Sequence, residues 1–162
     1  MKTLSLWRHA KSERGDADRP DHDRRLNARG RRDAADMAAR LSRQVGRPDL
    51  VYASTARRTR ESAAALLECG TDTPTIEYLD LLYLADVQTL LDAFARAPAD
   101  IEHLLVIGHN PGLAECATRL APSIDHYLPT AALVVLRHDG DDFDLRHGAA
   151  TELLLHDWPK RD

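Results

Sequence analysis

Two short apolar runs, about a hundred residues apart, each end in a histidine, and this pairing limits the fold more than any other feature. The first run, Thr3-Leu4-Ser5-Leu6-Trp7, leads into Arg8-His9-Ala10. The second, Leu104-Leu105-Val106-Ile107, leads into Gly108-His109-Asn110-Pro111-Gly112. In an open α/β sheet, ligands bind outside the carboxyl ends of the parallel strands. If the two runs are parallel members of one sheet, both imidazoles fall in one pocket. An arginine beside the first histidine directs that pocket towards phosphate.

The rest of the chain supports such a sheet. Residues 3–7 read as a strand and 11–25 as a polar loop rich in Asp and Arg. A helix is expected over 27–45, capped by Asn27 and closed by Gly46 and Pro48. A strand at 49–53 precedes a helix at 55–69 capped by Ser54, and a weaker strand covers 75–79. Asp86 caps a helix over 87–97, and residues 102–107 form the most apolar strand, expected at the centre. Asn110 is expected to cap the next helix, with Pro111 at its first position. Leu133–Arg137 and Phe143–His147 read as a hairpin turning at Asp139-Gly140, and Leu153–Leu155 adds a short last strand. Strands alternating with helices predict a single domain over residues 1–162. Its class is a three-layer α/β/α sandwich with a mostly parallel central sheet.

Composition removes several function classes. A net charge of -4 gives no global pull towards nucleic acid or a membrane surface, yet arginines cluster at 29–32 and 57–60. A local cationic site in a mildly acidic protein suits a small anionic group. Two cysteines, Cys69 and Cys116, make no disulfide framework and read as buried or half-buried thiols of a reducing compartment. No apolar stretch approaches a membrane span, and the strand-like start argues against a signal peptide; both favour a cytoplasmic location. His22, His103, His126, His138, His147 and His156 show no metal-ligand spacing, so no metal or other cofactor is expected. The run Asp139 to Asp142 lacks the length and closing Glu of a calcium loop.

On this arrangement Arg8, His9, Arg58 and His109 converge. Phosphoryl transfer needs a nucleophile and fixed positive charge on the equatorial oxygens. A neutral imidazole nitrogen can attack phosphorus and split one hard step into two through a phosphohistidine. Guanidinium groups hold two phosphate oxygens without losing their charge. A second histidine can donate a hydrogen bond to the phosphoryl oxygen, and the helix start after Asn110 offers backbone N–H groups to an anion.

These residues resemble the signatures of the histidine phosphatase superfamily, the phosphoglycerate-mutase-like proteins. Arg8-His9-Ala10 is similar to its RHG/RHA signature. The stretch Ser54 to Ala63 resembles S-x-x-x-R-x-x-Q-T-A, with Arg58 at the arginine. Gly108 to Gly112 is similar to the second-histidine motif, Leu26-Asn27 with Gly30 to LN-x-x-G, and Leu128-Pro129-Thr130 to a late element of short members. The short chain and these variants resemble the SixA-type phosphohistidine phosphatases. The resemblance implies His9 as the phosphorylated nucleophile and His109 as stabiliser of the transferring group. It implies Arg8 and Arg58 as phosphate ligands, with Asn110 as a further candidate. Glu61, Ser62 and Arg25 stand where the family prefers Gln, Thr and Pro.

Larger members use an acid to protonate the leaving oxygen, and here Asp80 is the candidate general acid, with Glu77 near it. The weakness of that acid favours a substrate whose leaving nitrogen arrives protonated, a phosphohistidine carried on a protein, over an alkyl ester. A small phosphorylated substrate, cleaved by a phosphomonoesterase or pyrophosphatase of the same superfamily, is the second reading. A non-catalytic phosphate-binding module is the third.

Overall fold

A computed structural model describes residues 1–70, 72–125 and 127–159; His126 lies outside the described residues. Six strands form one sheet: β1 (Lys2–Arg8), β2 (Leu50–Ser54), β3 (Thr75–Leu79), β4 (His103–Gly108), β5 (Leu133–His138) and β6 (Thr151–Asp157). Their order is β3-β2-β4-β1-β5-β6, with the first four mutually parallel, β5 antiparallel to β1 and β6 antiparallel to β5. β4 is buried along its whole length and β1 along most of it. A strand covered on both faces needs apolar residues at every position, which explains unbroken runs such as Leu104 to Ile107. In the register of the pair, Arg8 lies opposite Gly108. His9 and His109 therefore leave the sheet side by side.

Among the described residues four α-helices cover the two faces: α1 (Ala28–Gln44), α2 (Arg57–Leu67), α3 (Val87–Ala95) and α4 (Gly112–Leu120). Alternating strand residues divide the core. Trp7, Val51, Ala53, Leu105 and Ile107 pack with Met37, Leu41 and Leu66 of α1 and α2. Leu4, Leu6, Tyr52, Leu104 and Val106 pack with Leu91, Phe94, Leu113 and Cys116 of α3 and α4. This is the three-layer α/β/α arrangement that the alternation of strands and helices predicts. Asn27 caps α1, its side chain accepting from the Gly30 N–H at 2.8 Å, and Asp86 caps α3 through the Thr89 N–H. No described helix is long and apolar enough to cross a membrane.

Three local expectations are corrected. The Phe143–His147 strand does not form; β5 pairs instead with β6, seven residues long. Phe143 and Leu145 are buried in the core on the side of α3 and α4, so their apolar character serves packing and not a strand. Asn110 does not cap α4, which starts at Gly112; its side-chain amide donates to the Leu128 carbonyl. Ser54 ends β2, and α2 begins only at Arg57, although the Ser54 hydroxyl still accepts from the Ala56 N–H.

Candidate active site

His9 sits one residue beyond β1, held by its own backbone. Its N–H donates to the Gly108 carbonyl at 3.2 Å, and its carbonyl accepts from the Ala131 N–H at 3.0 Å. The ring Nδ1 lies 2.8 Å from the Ala10 carbonyl oxygen. A carbonyl can only accept, so Nδ1 carries the hydrogen and Nε2 keeps a lone pair. Arg58 Nε donates to that Nε2 at 3.3 Å.

His109 takes the opposite tautomer. Arg58 Nη2 lies 3.3 Å from its Nδ1, and guanidinium nitrogens only donate. The hydrogen of His109 is therefore on Nε2, 2.7 Å from the Ser54 hydroxyl. The two rings stand 5.2 Å apart, tilted by 54°. Burial, helped by the neighbouring positive charges, drives the His9 pKa well below the ordinary histidine value. Burial followed by the Arg58 charge takes His109 down to about 3. Both imidazoles are neutral near pH 7.

One buried arginine thus joins both rings. Arg58, in the first turn of α2, also donates through Nη1 to the Asp21 carbonyl at 2.8 Å and through Nη2 to the Asp21 carboxylate at 3.1 Å. Ser62 ties this helix to the β1 loop, its hydroxyl accepting from the Ala10 N–H at 3.0 Å and donating to the Arg58 carbonyl at 2.8 Å. Glu61, the other departure in that motif, accepts from the Leu26 N–H at 2.8 Å. Arg8 donates through Nη1 to the Leu128 carbonyl at 2.8 Å, while its buried Nε has no hydrogen-bond partner among the described residues. Asn110 shares that carbonyl, and its buried Oδ1 is likewise unpartnered there.

These side chains line a cleft of about 670 Å3 together with Lys11, Glu13, Arg14, Asp21, Arg24 and Thr130. All five of Arg8, His9, Arg58, His109 and Asn110 are in it. Asp80 is not. It is exposed at the end of β3, which β2 and β4 separate from β1. Among the described residues the carboxylates in the cleft are Asp21 and Glu13, both from the polar loop after β1. The Tyr83 hydroxyl donates to Asp21, and this bond and the Arg58 charge hold the Asp21 carboxyl below its usual range. Arg25 and Arg19 bind Glu13 at 2.8 and 3.1 Å, and the Arg25 bond lowers its pKa. Sequence reasoning missed Asp21, Tyr83 and the role of Ser54 as a partner of His109. The available signal was position, because a loop leaving a parallel strand at its carboxyl end covers the site. Among the described residues no three His, Cys, Asp or Glu side chains gather to hold a metal ion.

The family model of the histidine phosphatase superfamily (branch 1) matches residues 4–82, the stretch that holds Arg8, His9 and Arg58. A chain from Nakamurella multipartitia, described as a candidate phosphohistidine phosphatase SixA, is 31% identical with a TM-score of 0.84, covering 98% of this chain and 96% of its own. This chain belongs to the histidine phosphatase superfamily. Within that superfamily it falls in the SixA-type branch. A candidate SixA phosphohistidine phosphatase from Agrobacterium tumefaciens is similar at a TM-score of 0.85 and 26% identity, over 98% of this chain and 99% of that one. A Mycobacterium tuberculosis protein described only as uncharacterized is 33% identical over 159 residues, 92% of this chain and 98% of the relative.

Proposed function

We propose that the protein is a phosphatase that removes the phosphoryl group from phosphohistidine on a protein, through a covalent intermediate on His9. The observation that carries this reading is the His9 Nδ1–H bond to the Ala10 carbonyl, which leaves Nε2 as a neutral nucleophile beside Arg58. In the first step Nε2 bonds to phosphorus while the bond from phosphorus to the leaving nitrogen breaks. In the second, water attacks phosphorus, orthophosphate leaves and His9 regains its lone pair. Arg58 and the unpartnered Arg8 Nε supply fixed donors for the equatorial oxygens. A phosphoryl dianion brings the counter-charge His109 needs to accept a proton from solvent at Nδ1, in place of the Arg58 Nη2 hydrogen bond. With Nε2–H kept on Ser54, His109 then donates to the transferring group.

The acids of the cleft support this substrate class. Asp21 and Glu13 are both bound by arginine and held ionised, so neither stands ready to protonate an alkoxide. A phosphohistidine leaves as an imidazole, a far better leaving group, and does not depend on such a donor. The test compares a histidine-phosphorylated protein with an alkyl phosphate, using the wild type and His9→Ala. The reading requires rapid loss of phosphohistidine with the wild type alone. Equal rates from the two enzymes would refute it. Faster turnover of the alkyl phosphate, abolished by Asp21→Asn, would instead establish the small-molecule reading with Asp21 as its acid.

A further inference from the structure

Beside the catalytic cleft runs a second groove of about 510 Å3, sharing Arg8, Lys11 and Thr130 with it. Its other walls are Arg29 in the first turn of α1, Tyr127 and Pro129 from the loop before β5, and Trp158 just beyond β6. Three cations line it and, among the described residues, no carboxylate does, in a chain whose net charge is -4. Tyr127 is 66% exposed and Trp158 41%, unusual for large aromatic groups. Neither is loosely placed. The Arg8 guanidinium lies 6.0 Å from the centre of the Tyr127 ring. Arg40 donates to the Asp157 carboxylate at 3.0 Å and to the Trp158 carbonyl at 3.3 Å, and the His156 ring lies tilted against Trp158 with centroids 5.0 Å apart.

Fixed, exposed aromatic groups among cations have the composition of a protein-recognition surface, where Trp, Tyr and Arg carry most of the binding energy. We infer that this groove docks an acidic segment of the protein whose phosphohistidine enters the cleft. The inference rests on the phosphohistidine reading above and adds to it the recognition of the flanking chain. The charge of the groove selects the segment's sign, since opposed potentials steer encounter and exclude like-charged partners. Continuity selects its place: Arg8 lines both the catalytic cleft and the groove, and its guanidinium lies 6.0 Å from the centre of the Tyr127 ring. A polypeptide lying on Tyr127 and Trp158 is thus next to the phosphoryl group it carries.

The probes are two peptides of equal length phosphorylated on one histidine, one flanked by Asp and Glu and one by Lys and Arg, with free phosphohistidine as a third substrate. The variant is Arg29→Glu combined with Trp158→Ala. Both residues lie outside the catalytic cleft, and a Glu in the first turn suits the dipole of α1. The wild type is expected to favour the acidic peptide, less so as salt screens the groove. In the variant, KM for the acidic peptide rises about tenfold, the scale of one interface anchor with one reversed charge, and kcat is unchanged. Free phosphohistidine is hydrolysed as before. An unchanged KM for the acidic peptide overturns the inference. So does an equal loss on free phosphohistidine, which would assign the groove to small-molecule binding. If the wild type hydrolyses none of the three, the phosphohistidine reading fails separately. Docking is then read from Trp158 fluorescence during titration with the unphosphorylated acidic peptide; saturation abolished by Arg29→Glu supports the groove, and no response overturns it.

Discussion

Replacing Gly30 by alanine sets two opposed effects against each other, and the structure decides between them. Gly30 lies in the first turn of α1, where alanine would gain up to about 1 kcal/mol of helix propensity. A Cβ at this position, however, overlaps the Lys11 carbonyl oxygen and stands 2.9 Å from its carbon and 3.0 Å from its nitrogen. All three are backbone atoms, so no side chain can swing aside. Overpacking of this kind costs about 1–3 kcal/mol, and moving Lys11 also strains the Asn27 N–H bond to its carbonyl, worth about 1 kcal/mol. The net loss is about 1–3 kcal/mol. For a chain of this size that lowers Tm by roughly 2–12 °C, at about 2–4 °C per kcal/mol. Lys11 follows His9 by two residues, so kcat is expected to fall as well. The assay is thermal unfolding followed by circular dichroism, with turnover measured on the same samples. Gly15→Ala is the control: its Cβ meets only the flexible Arg24 side chain at 3.5 Å, and the change is expected within about 0.5 kcal/mol. A Tm for Gly30→Ala at or above the wild-type value would refute the argument from backbone contact.

Ser54→Ala removes the acceptor of the His109 Nε2–H and leaves that buried donor unmatched, a loss of about 1–3 kcal/mol by urea titration. The same variant is expected to lower kcat more than it raises KM; an unaltered kcat would separate Ser54 from the reaction. For pH dependence the sign follows from His109, whose folded pKa of about 3 lies below its ordinary value of 6.5. Its stabilising share is full above the unfolded pKa and is lost as pH falls, at about 1.4 kcal/mol per pH unit between pH about 6 and about 4. His9 acts in the same direction. His109→Asn should flatten the stability curve in that window, and an unchanged slope would contradict the assigned burial. Asp21→Asn removes the carboxylate from Arg58, so orthophosphate should inhibit more tightly; weaker inhibition would mean that Asp21 serves only to orient the guanidinium.

The sheet was legible because its central strands are buried on both faces and show it as continuous apolar runs. From that reading the neighbouring ends of β1 and β4 follow, and with them the convergence of Arg8, His9 and His109. Gly30 shows why a short motif such as LN-x-x-G has meaning: the cap by Asn27 and the close approach to Lys11 are one contact surface. What failed to show was decided by tertiary contact. Phe143 has the residue type of a strand but its side chain fills the core, while the true partner of β5 lies in a leucine run with little polar alternation. Asp80 stands at the carboxyl end of a strand, yet at the edge of the sheet. Asp21 carries no local signal beyond a charged loop, and only the fold brings it to Arg58. Asn110 precedes a proline as helix caps do, but the Leu128 carbonyl claims its amide.

The most direct measurement is the site of phosphorylation in the trapped enzyme. The protein is mixed with a phosphoryl donor, quenched in base and read by peptide mass spectrometry, with phosphorus NMR to distinguish the two ring nitrogens. Label on Nε2 of His9, absent from His9→Ala, is the result the hydrogen bond from Nδ1 to Ala10 predicts. Label on Nδ1, on His109, or on no residue during active turnover would contradict it.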